Sequence, residues 1–206
     1  EMIIEQPHTW IRRLTYPEAI WRMDKDDKSV YLSFDDGPIP EVTPWVLDVL
    51  DKYNIKATFF CVGENVYKHP DIFQKLLDKG HKVGNHTYHH LKGAKCDNDV
   101  FFEDIEKANA LIKSEYFRPP HGLIKRSQMK TLINKHHYKI VLWDVITRDY
   151  NYNRQPEKIM KAIKERCRNG SIIVFHDSIK ASKNLYACLE PTITFLIENG
   201  YKFKTL

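Results

Sequence analysis

The sequence predicts a single α/β domain, folded as an incomplete or distorted barrel of seven strands. Three observations lead to this class: strand and helix patterns alternate after residue 29, seven strands can be counted, and the chain has 206 residues. Such alternation favours parallel strands covered by helices. A closed barrel and an open doubly wound sheet both fit it, but an ordinary eight-fold barrel needs roughly 250 residues. Seven strands in a shorter chain therefore indicate an incomplete or distorted barrel.

The predicted strands are apolar runs rich in β-branched and aromatic residues. They cover residues 30–34, 57–61, 82–85, 115–118, 139–143, 171–175 and 201–204. The first predicted helix follows Thr43, which can cap it, and has Pro44 at the favoured first position. The remaining helices are predicted over residues 64–78, 98–113, 125–136, 156–168 and 184–198. Most of these helices would connect consecutive strands, as the βα architecture requires.

Residues 1–28 are predicted to be an N-terminal extension packed on the barrel, and residues 29–206 to be the barrel domain itself. The extension has an irregular pattern, contains Pro7 and Pro17, and ends in the charged run 24–28. Its expected packing residues are Trp10, Ile11, Leu14 and Trp21. No internal repeat, low-complexity tract or linker divides the chain further.

Composition and charge argue against several classes of protein. Lys and Arg are scattered among acids and the formal net charge is only +5, so no nucleic-acid partner is expected. No apolar stretch approaches the roughly 20 residues that span a bilayer. The four cysteines form no Cys-x-x-Cys pair and are expected to be reduced. Without a recognisable secretory signal, the chain as given is expected to be cytoplasmic, or extracytoplasmic if trimmed. The oligomeric state stays open.

The adjacent aspartates Asp35 and Asp36 are the most informative feature of the sequence. They end the apolar run 30–34, and Gly37 and Pro38 then break the strand. Two like charges at a strand exit are unfavourable unless a positive group holds them. A metal ion is the usual solution, and the alternative is an acidic turn exposed to water.

Polar clusters follow the C-terminal ends of the predicted strands. They cover residues 35–36, 86–90, 118–122, 144–149 and 176–178. In parallel α/β folds these strand ends share one face, and that face holds the site. Residues that are far apart in sequence are therefore expected to converge there.

His86 and His90 are the predicted histidine ligands of a metal ion. Their four-residue spacing places both imidazoles on one side of a helical turn. With Asp36 they make a two-histidine, one-carboxylate set that leaves positions open for water and substrate, as catalytic zinc or iron sites require. Asp35 would then face the metal-bound water as a base. Alternatively, these are loop histidines with ordinary hydrogen bonds, or His89 takes a ligand position.

Arg118, His176 and Asp149 complete the set of candidate residues. Arg118 leaves a strand into a rigid Pro-Pro turn, where its guanidinium can hold a carboxylate bidentately. The alternative is a surface ion pair. His176 leaves a buried strand and can donate a proton to a leaving group, with Asp149 as the candidate to raise its pKa and orient it. Alone, His176 would be a core histidine with satisfied hydrogen bonds.

Five motifs carry a resemblance to a known family. They are Ser33-Phe34-Asp35-Asp36-Gly37-Pro38, Asn85-His86-Thr87-Tyr88-His89-His90, Arg118-Pro119-Pro120-His121-Gly122, Thr147-Arg148-Asp149-Tyr150 and Val174-Phe175-His176-Asp177. In this order they resemble the polysaccharide deacetylases, the NodB-homology family or carbohydrate esterase family 4. The resemblance covers residues 29–206 and implies a distorted (β/α)7 TIM-like barrel. It also implies a metal-dependent hydrolase that removes the N-acetyl group from N-acetylglucosamine-type residues of a polysaccharide or oligosaccharide, releasing acetate.

The resemblance implies a role for each residue of the site. The catalytic groups are matched by Asp35 (the base), Arg118 (which orients it), His176 (the general acid) and Asp149 (which tunes that acid). The metal ligands are matched by Asp36, His86 and His90. Zinc is the usual metal in the family, although Co²⁺, Mn²⁺ or Ni²⁺ can serve.

Two positions depart from the family pattern. His121 stands where the third motif usually has Tyr, and the resemblance implies that its backbone N–H helps to hold the oxyanion. Tyr150 stands where the fourth motif usually ends in Trp, at a position that lines the acetyl pocket in relatives. These changes leave substrate contacts and acyl preference open.

Two other functions fit the same sequence. One is a deformylase or deacylase of a small or lipid-linked N-acyl sugar on the same fold. The other is a non-catalytic carbohydrate-binding module. Intact Asp35, Arg118 and His176 count against the module, because a lectin needs none of them.

Overall fold

A sheet of parallel strands forms the centre of the structure, which is a computed structural model describing residues 4–206. The strands are β1 (Ser29–Asp35), β2 (Thr58–Cys61), β3 (Lys82–Asn85), β4 (Tyr116–Phe117), β5 (Lys139–Ile140), β6 (Val145–Ile146), β7 (Ser171–His176) and β8 (Lys202–Phe203). Their order is β5-β4-β3-β2-β1-β7-β6, and β8 pairs with the start of β1. The predicted α/β class with a distorted barrel is confirmed.

The helices cover the sheet as the alternating pattern predicts. They are α1 (Thr9–Thr15), α2 (Thr43–Lys52), α3 (Gly63–Lys68), α4 (Pro70–Asp78), α5 (Asn98–Ile112), α6 (Arg126–Asn134), α7 (Pro156–Arg166) and α8 (Ser182–Glu198). None of the helices in the described part of the chain has the length and apolar character needed to cross a membrane.

Three local predictions were wrong. The helix expected over 64–78 is divided into α3 and α4, because Pro70 lacks an N–H and disfavours the helical conformation at the residue before it. Thr43 does not cap α2: its hydroxyl accepts the N–H of Ile39 and donates to Asp177. The short strand β6 lies within a segment that was predicted to be a polar loop.

The N-terminal extension is more regular than predicted, since it contains α1. Residues 1–3 of the extension lie outside the described residues. Ile11 and Trp21 are half-buried, but Trp10 and Leu14 are 65% and 68% exposed, so the expected packing role of these two was wrong. Their side chains lie on the outer side of α1, whose one buried residue is Arg12.

The extension lies at the open side of the barrel. Among residues 4–206 no ladder joins β5 to β6. Ile20 instead forms a parallel bridge with Val141, next to β5, and Arg22 forms an antiparallel bridge with Ser171 on β7. The N-terminal extension therefore covers the side on which the barrel does not close.

A buried carboxylate connects the N-terminal extension to the barrel through hydrogen bonds. Asp144, which is fully buried, accepts hydrogen bonds from Arg12 (2.6 Å), from Arg168 (2.7 and 3.0 Å) and from the Ser171 hydroxyl (2.7 Å). These donors stabilise the ionised form, so the pKa of Asp144 is lowered although burial opposes the shift.

Strand β1 runs through the core and delivers the aspartates to one end of it. Every residue of β1 is buried, and Phe34 stacks against Phe59 on β2 and Phe175 on β7. The parallel register pairs Asp35 with His176, the last residues of β1 and β7. Packing of the apolar residues thus fixes two polar side chains side by side at the C-terminal edge.

Candidate active site

The predicted site residues converge at the C-terminal ends of the strands. All of them except Arg118 and Asp149 line one pocket of about 190 Å³. A volume of this size holds roughly six water molecules, which suits an acyl group and part of a sugar ring. Arg118 and Asp149 are buried behind the residues that line the pocket. Arg118 pairs with Asp35 and Asp149 pairs with His176, and both of these partners line the pocket.

Asp36, His86 and His90 form a group that can hold a metal ion. Their ligand atoms all lie within 4.8 Å of one another. The Asp36 Oδ1 atom is 3.2 Å from His90 Nε2 and 3.7 Å from His86 Nε2. Burial lowers the pKa of His86 to about 4, so its imidazole is neutral at neutral pH, which is the form that binds a metal. The donor set therefore fits a divalent cation such as zinc.

A hydrogen bond orients the His86 ring. Its Nδ1 lies 2.7 Å from the backbone carbonyl of Arg118. Because a carbonyl can only accept, Nδ1 carries the proton and Nε2 keeps its lone pair toward Asp36. Metal-binding histidines are commonly fixed in this way by a partner on the second ring nitrogen.

The prediction of a helical turn between His86 and His90 was wrong. Residues 86–90 form a loop in which Thr87 (φ 62°) and His90 (φ 56°) have left-handed backbone. The Thr87 N–H donates to the Asn85 side chain, and the Thr87 hydroxyl accepts the N–H of Leu91. Local side-chain bonds of this kind stabilise a turn in place of a helix. The two imidazoles still meet, at a centroid distance of 5.0 Å.

Asp104 on α5 supports this loop, and the sequence analysis missed it. Its Oδ2 accepts the backbone N–H of Tyr88 at 2.8 Å and of His89 at 2.9 Å. Its Oδ1 lies 2.5 Å from His89 Nδ1, so the His89 ring is engaged there and does not belong to the metal group. A signal was present in the sequence: Asp104 lies on the helix face of Phe101 and Ile105, where an acid requires a partner.

Replacing Asp104 with alanine is expected to weaken zinc binding by about tenfold or more, as for other residues that support metal ligands. The loop would lose its acceptor for two N–H groups, and the two histidine ligands would be held less rigidly. Zinc affinity of the metal-stripped protein, measured by competition with a chromogenic chelator, checks this. Glu103→Ala removes the neighbouring exposed acid on the same helix and should leave the affinity unchanged.

Arg118 holds Asp35 from behind the pocket. Its guanidinium is 1% exposed and donates to Asp35 Oδ1 at 2.6 Å and to the Ser33 hydroxyl at 2.9 Å. The backbone carbonyls of Val141 and Leu142 accept its remaining hydrogen bonds. This arrangement keeps one carboxylate oxygen fixed, and the alternative of a surface ion pair is wrong. The contact is single rather than bidentate.

His176 lines the pocket and pairs with the buried Asp149. The His176 Nδ1 atom is 2.7 Å from Asp149 Oδ1, and Asp149 Oδ2 accepts the His176 backbone N–H at 2.9 Å. Burial disfavours the imidazolium, but Asp149, with smaller contributions from Asp36 and Asp35, raises the pKa of His176 to about 9. His176 is thus protonated at neutral pH, with Nε2 available toward the pocket.

The two positions that depart from the family pattern also line the pocket. The His121 ring lies 4.9 Å from the His90 ring, and His121 itself has left-handed backbone (φ 60°). The Tyr150 ring packs edge-on against His176 at 4.8 Å. Each substitution therefore lies directly beside a group that the site needs.

A second buried aspartate supports the Asp35–Asp36 turn. Asp177 accepts the Gly37 N–H at 3.1 Å and the Thr43 hydroxyl at 2.7 Å, and its own N–H donates to the Asp35 carbonyl. Any side chain at Gly37 would overlap the Asp177 carboxyl group. Asp177 has no predicted role, although it directly follows His176 in the sequence.

Comparisons with known proteins point to the same family as the five motifs. The family model described as polysaccharide deacetylase matches residues 22–141. The chain is 34% identical to a peptidoglycan-N-acetylglucosamine deacetylase of Bacillus cereus, over 90% of each protein. It is also 34% identical to a longer peptidoglycan-N-acetylglucosamine deacetylase of Listeria monocytogenes, of which the match spans 39%.

A solved structure shows the same fold. The crystal structure of a peptidoglycan N-acetylglucosamine deacetylase matches with a TM-score of 0.88 and 31% identity, over 98% of this chain and 95% of that one. The resemblance carried by the five motifs is therefore confirmed. This chain is a member of the polysaccharide deacetylase family, and its predicted class, a carbohydrate N-deacetylase hydrolysing amide bonds, is confirmed with it.

Proposed function

We propose that this protein removes the acetyl group from N-acetylglucosamine-type residues of a glycan, with peptidoglycan as the first candidate, and releases acetate. The single observation that carries the proposal is the arrangement around the metal group. Asp35, fixed by Arg118, and His176, protonated through Asp149, line the same pocket as this group. A proton acceptor and a proton donor thus share one pocket. The names of the similar proteins support peptidoglycan as the glycan.

The metal group suits zinc, and Co²⁺, Mn²⁺ or Ni²⁺ are the other candidates. Asp36, His86 and His90 would hold the ion. When bound, a divalent cation supplies Lewis-acid polarisation of the amide carbonyl and lowers the pKa of water. A three-residue set of this kind leaves further coordination positions open, as a catalytic site requires.

Asp35 would act as the general base. It is 4% exposed and its Oδ1 is held by Arg118, so Oδ2 is the atom positioned to take a proton from the attacking water. A carboxylate accepts a proton in its ionised form, and the Arg118 guanidinium pairs with it as a cation. The ion pair therefore serves both orientation and charge.

His176 would act as the general acid. An amide nitrogen is a poor leaving group unless it is protonated as the carbon–nitrogen bond breaks, and His176 Nε2 faces the pocket with a proton to donate. We assign the backbone N–H of His121 to the oxyanion, where a donor of this kind contributes about 3–4 kcal/mol in measured cases. Tyr150 would line the acyl group and position His176.

An acetate-release assay tests the proposal. Metal-stripped protein is supplied in turn with zinc, cobalt, manganese and nickel, and assayed on peptidoglycan fragments, chito-oligomers and small N-acyl sugars. Release of acetate from the oligomeric glycans supports the proposal. Hydrolysis confined to small or lipid-linked N-acyl compounds supports the alternative deacylase, and glycan binding without hydrolysis under any metal supports the binding module.

Replacing Asp149 with asparagine is expected to move the alkaline limit of turnover to lower pH. Asp149 raises the pKa of His176 to about 9, so loss of its charge lowers that pKa. His176 is the proton donor only below its pKa, so the variant loses turnover at a lower pH than the wild type. Asparagine keeps an oxygen that can accept from His176 Nδ1, although its amide group cannot replace the second oxygen, which accepts the His176 backbone N–H.

Profiles of kcat against pH, measured on both proteins with saturating zinc, check the shift. Asp27→Asn removes a half-buried acid at the opposite end of β1 and serves as the control. A variant whose turnover falls equally at every pH would show that Asp149 does not set the His176 pKa.

A further inference from the structure

Two lysines lie over two tyrosines beside the catalytic pocket. Lys180 Nζ is 5.9 Å from the centroid of the Tyr150 ring, and Lys183 Nζ is 4.3 Å from that of Tyr152. Lys180 and Tyr150 line the pocket itself, and Tyr152 is 66% exposed. We call these four residues the Lys–Tyr rim. The proposed reaction uses only Tyr150 among them.

The positive charge of the rim is not neutralised within the described residues. Neither lysine forms an ion pair or hydrogen bond through its ammonium group with any residue in 4–206. The nearby acids have other partners: Asp149 holds His176, and Asp177 holds the Gly37 N–H and the Thr43 hydroxyl. The tyrosine faces favour a cation but carry no net charge, so the rim can still attract an anion.

The rim is fixed relative to the reacting groups. Asn184, in the first turn of α8, donates to the backbone carbonyls of Asp149 at 2.9 Å and Asn151 at 3.1 Å. The segment that carries both lysines is thereby attached to the segment that carries both tyrosines. A ligand group held at the rim would keep a constant distance from His176.

A third cation lies on the segment that carries both tyrosines. Arg148 is half-buried with left-handed backbone (φ 56°), and its buried Nε atom has no hydrogen-bond partner within residues 4–206. Burial raises the pKa of the neighbouring Tyr150 phenol, and the Arg148 charge opposes that rise. This side of the pocket therefore concentrates positive charge, although the chain as a whole has scattered charges.

We propose that the Lys–Tyr rim is a subsite for a carboxylate of the glycan, located next to the acetamido group that is hydrolysed. The inference rests on the proposed function and adds a preference for acidic glycans over neutral ones. Ammonium groups and carboxylates form charge-assisted hydrogen bonds, and the exposed ring of Tyr152 offers contact area to a sugar. The carboxylate has two possible sources in peptidoglycan, the lactyl group of N-acetylmuramic acid and the peptide stem. Chito-oligomers have neither.

Turnover on matched charged and neutral glycans tests the subsite. The substrates are a peptide-free peptidoglycan tetrasaccharide, its lactyl methyl ester, the peptide-bearing tetrasaccharide and chitotetraose. The proteins are the wild type, Lys180→Met, the double variant Lys180→Met/Lys183→Met, and Lys202→Met. Methionine keeps most of the length of the unbranched side chain and removes its charge. Lys202 lies on β8 beside the start of β1, at the end of the barrel opposite to the site.

The wild type is expected to prefer the free acid to its methyl ester in kcat/KM. The preference should fall by about two- to fivefold in Lys180→Met and by about tenfold in the double variant, the sizes typical of exposed ion pairs. The change should lie in KM. Added salt should reduce the preference for the acid in the wild type but not in the double variant. Lys202→Met should keep the preference of the wild type. A preference seen only with the peptide-bearing substrate assigns the carboxylate to the stem.

Binding of the same glycans, measured by isothermal titration calorimetry, separates the two proposals. Absence of turnover on every glycan would overturn the proposed function, while binding would still show whether acidic glycans are preferred. If the wild type hydrolyses the glycans but the double variant keeps the same preference for the acid, the subsite is wrong and the deacetylase proposal stands. Equal use of acid and ester by the wild type, with no preference for the peptide-bearing tetrasaccharide over either, would likewise overturn the subsite.

Discussion

Replacing Asp36 with asparagine is expected to lower zinc affinity by more than about 100-fold, beyond the loss seen when a supporting partner is removed. Acetate release should fall to background with it. Asp36 is the one carboxylate of the metal group, and its Oδ1 lies within 3.7 Å of both imidazole Nε2 atoms. Its removal leaves two imidazoles without a negative ligand, and such a pair binds a divalent cation far more weakly than a set with a carboxylate.

Asparagine is a better replacement for Asp36 than alanine because of the backbone conformation at this position. Asp36 has a φ of 85°, in the left-handed region that disfavours most side chains. Asparagine tolerates this region well, whereas alanine would add strain to the turn that Asp177 also holds. The variant thus tests the ligand role without distorting the turn.

Zinc affinity and acetate release are measured on the same preparations, with Asp48→Asn, an exposed acid on α2, as the control. The Asp36 variant should fold with a melting temperature close to that of the metal-free wild type. Retention of wild-type zinc affinity would show that the ligand assignment is wrong, whatever happens to turnover.

The positions of the site residues could be predicted because they depend on topology. Parallel strands that alternate with helices place all C-terminal strand ends on one face, so polar residues after each strand must meet. The register of β1 and β7, which pairs Asp35 with His176, follows from burial of the apolar residues before them. Long, fully buried strands are strong signals in a sequence, and both belong to this class.

The conformation of the ligand loop could not be predicted in the same way. A spacing of four residues brings His86 and His90 together on a helix, but the chain reaches the same result with left-handed backbone at Thr87 and His90. That conformation depends on Asp104, which comes from a helix farther along the chain. Local spacing contains no information on a partner of this kind.

The short elements also escaped prediction. Strand β6 has only two residues, Val145 and Ile146, and pairs with the middle of β7. An apolar dipeptide between polar residues is too short to show the hydrophobic periodicity from which a strand is predicted. The interruption at Pro70 was visible in principle, yet an apolar stripe that continues through it resembles one helix.

Replacing Asp35 with asparagine is expected to lower kcat by about 10²–10⁴, the range for loss of a general base. Asparagine keeps an oxygen for Arg118 but cannot take a proton from water. Asp35 does not belong to the metal group, so zinc affinity should fall far less than in the Asp36 variant. Acetate release and zinc affinity, measured together, check whether the two adjacent aspartates have separate roles.

A loss of stability is expected in the same variant, because Arg118 is 1% exposed and would keep its charge without an ionised partner. Removing one partner of a buried pair costs about 3–5 kcal/mol, and the retained oxygen should reduce that value. Asp144→Asn is the matched control: Asp144 is another buried aspartate held by arginines, but it does not line the pocket. It should lose stability and keep kcat at temperatures where both variants are folded. If Asp35→Asn lost only stability, or if both variants lost kcat equally, Asp35 would be a structural residue and the base would have to be sought elsewhere in the pocket.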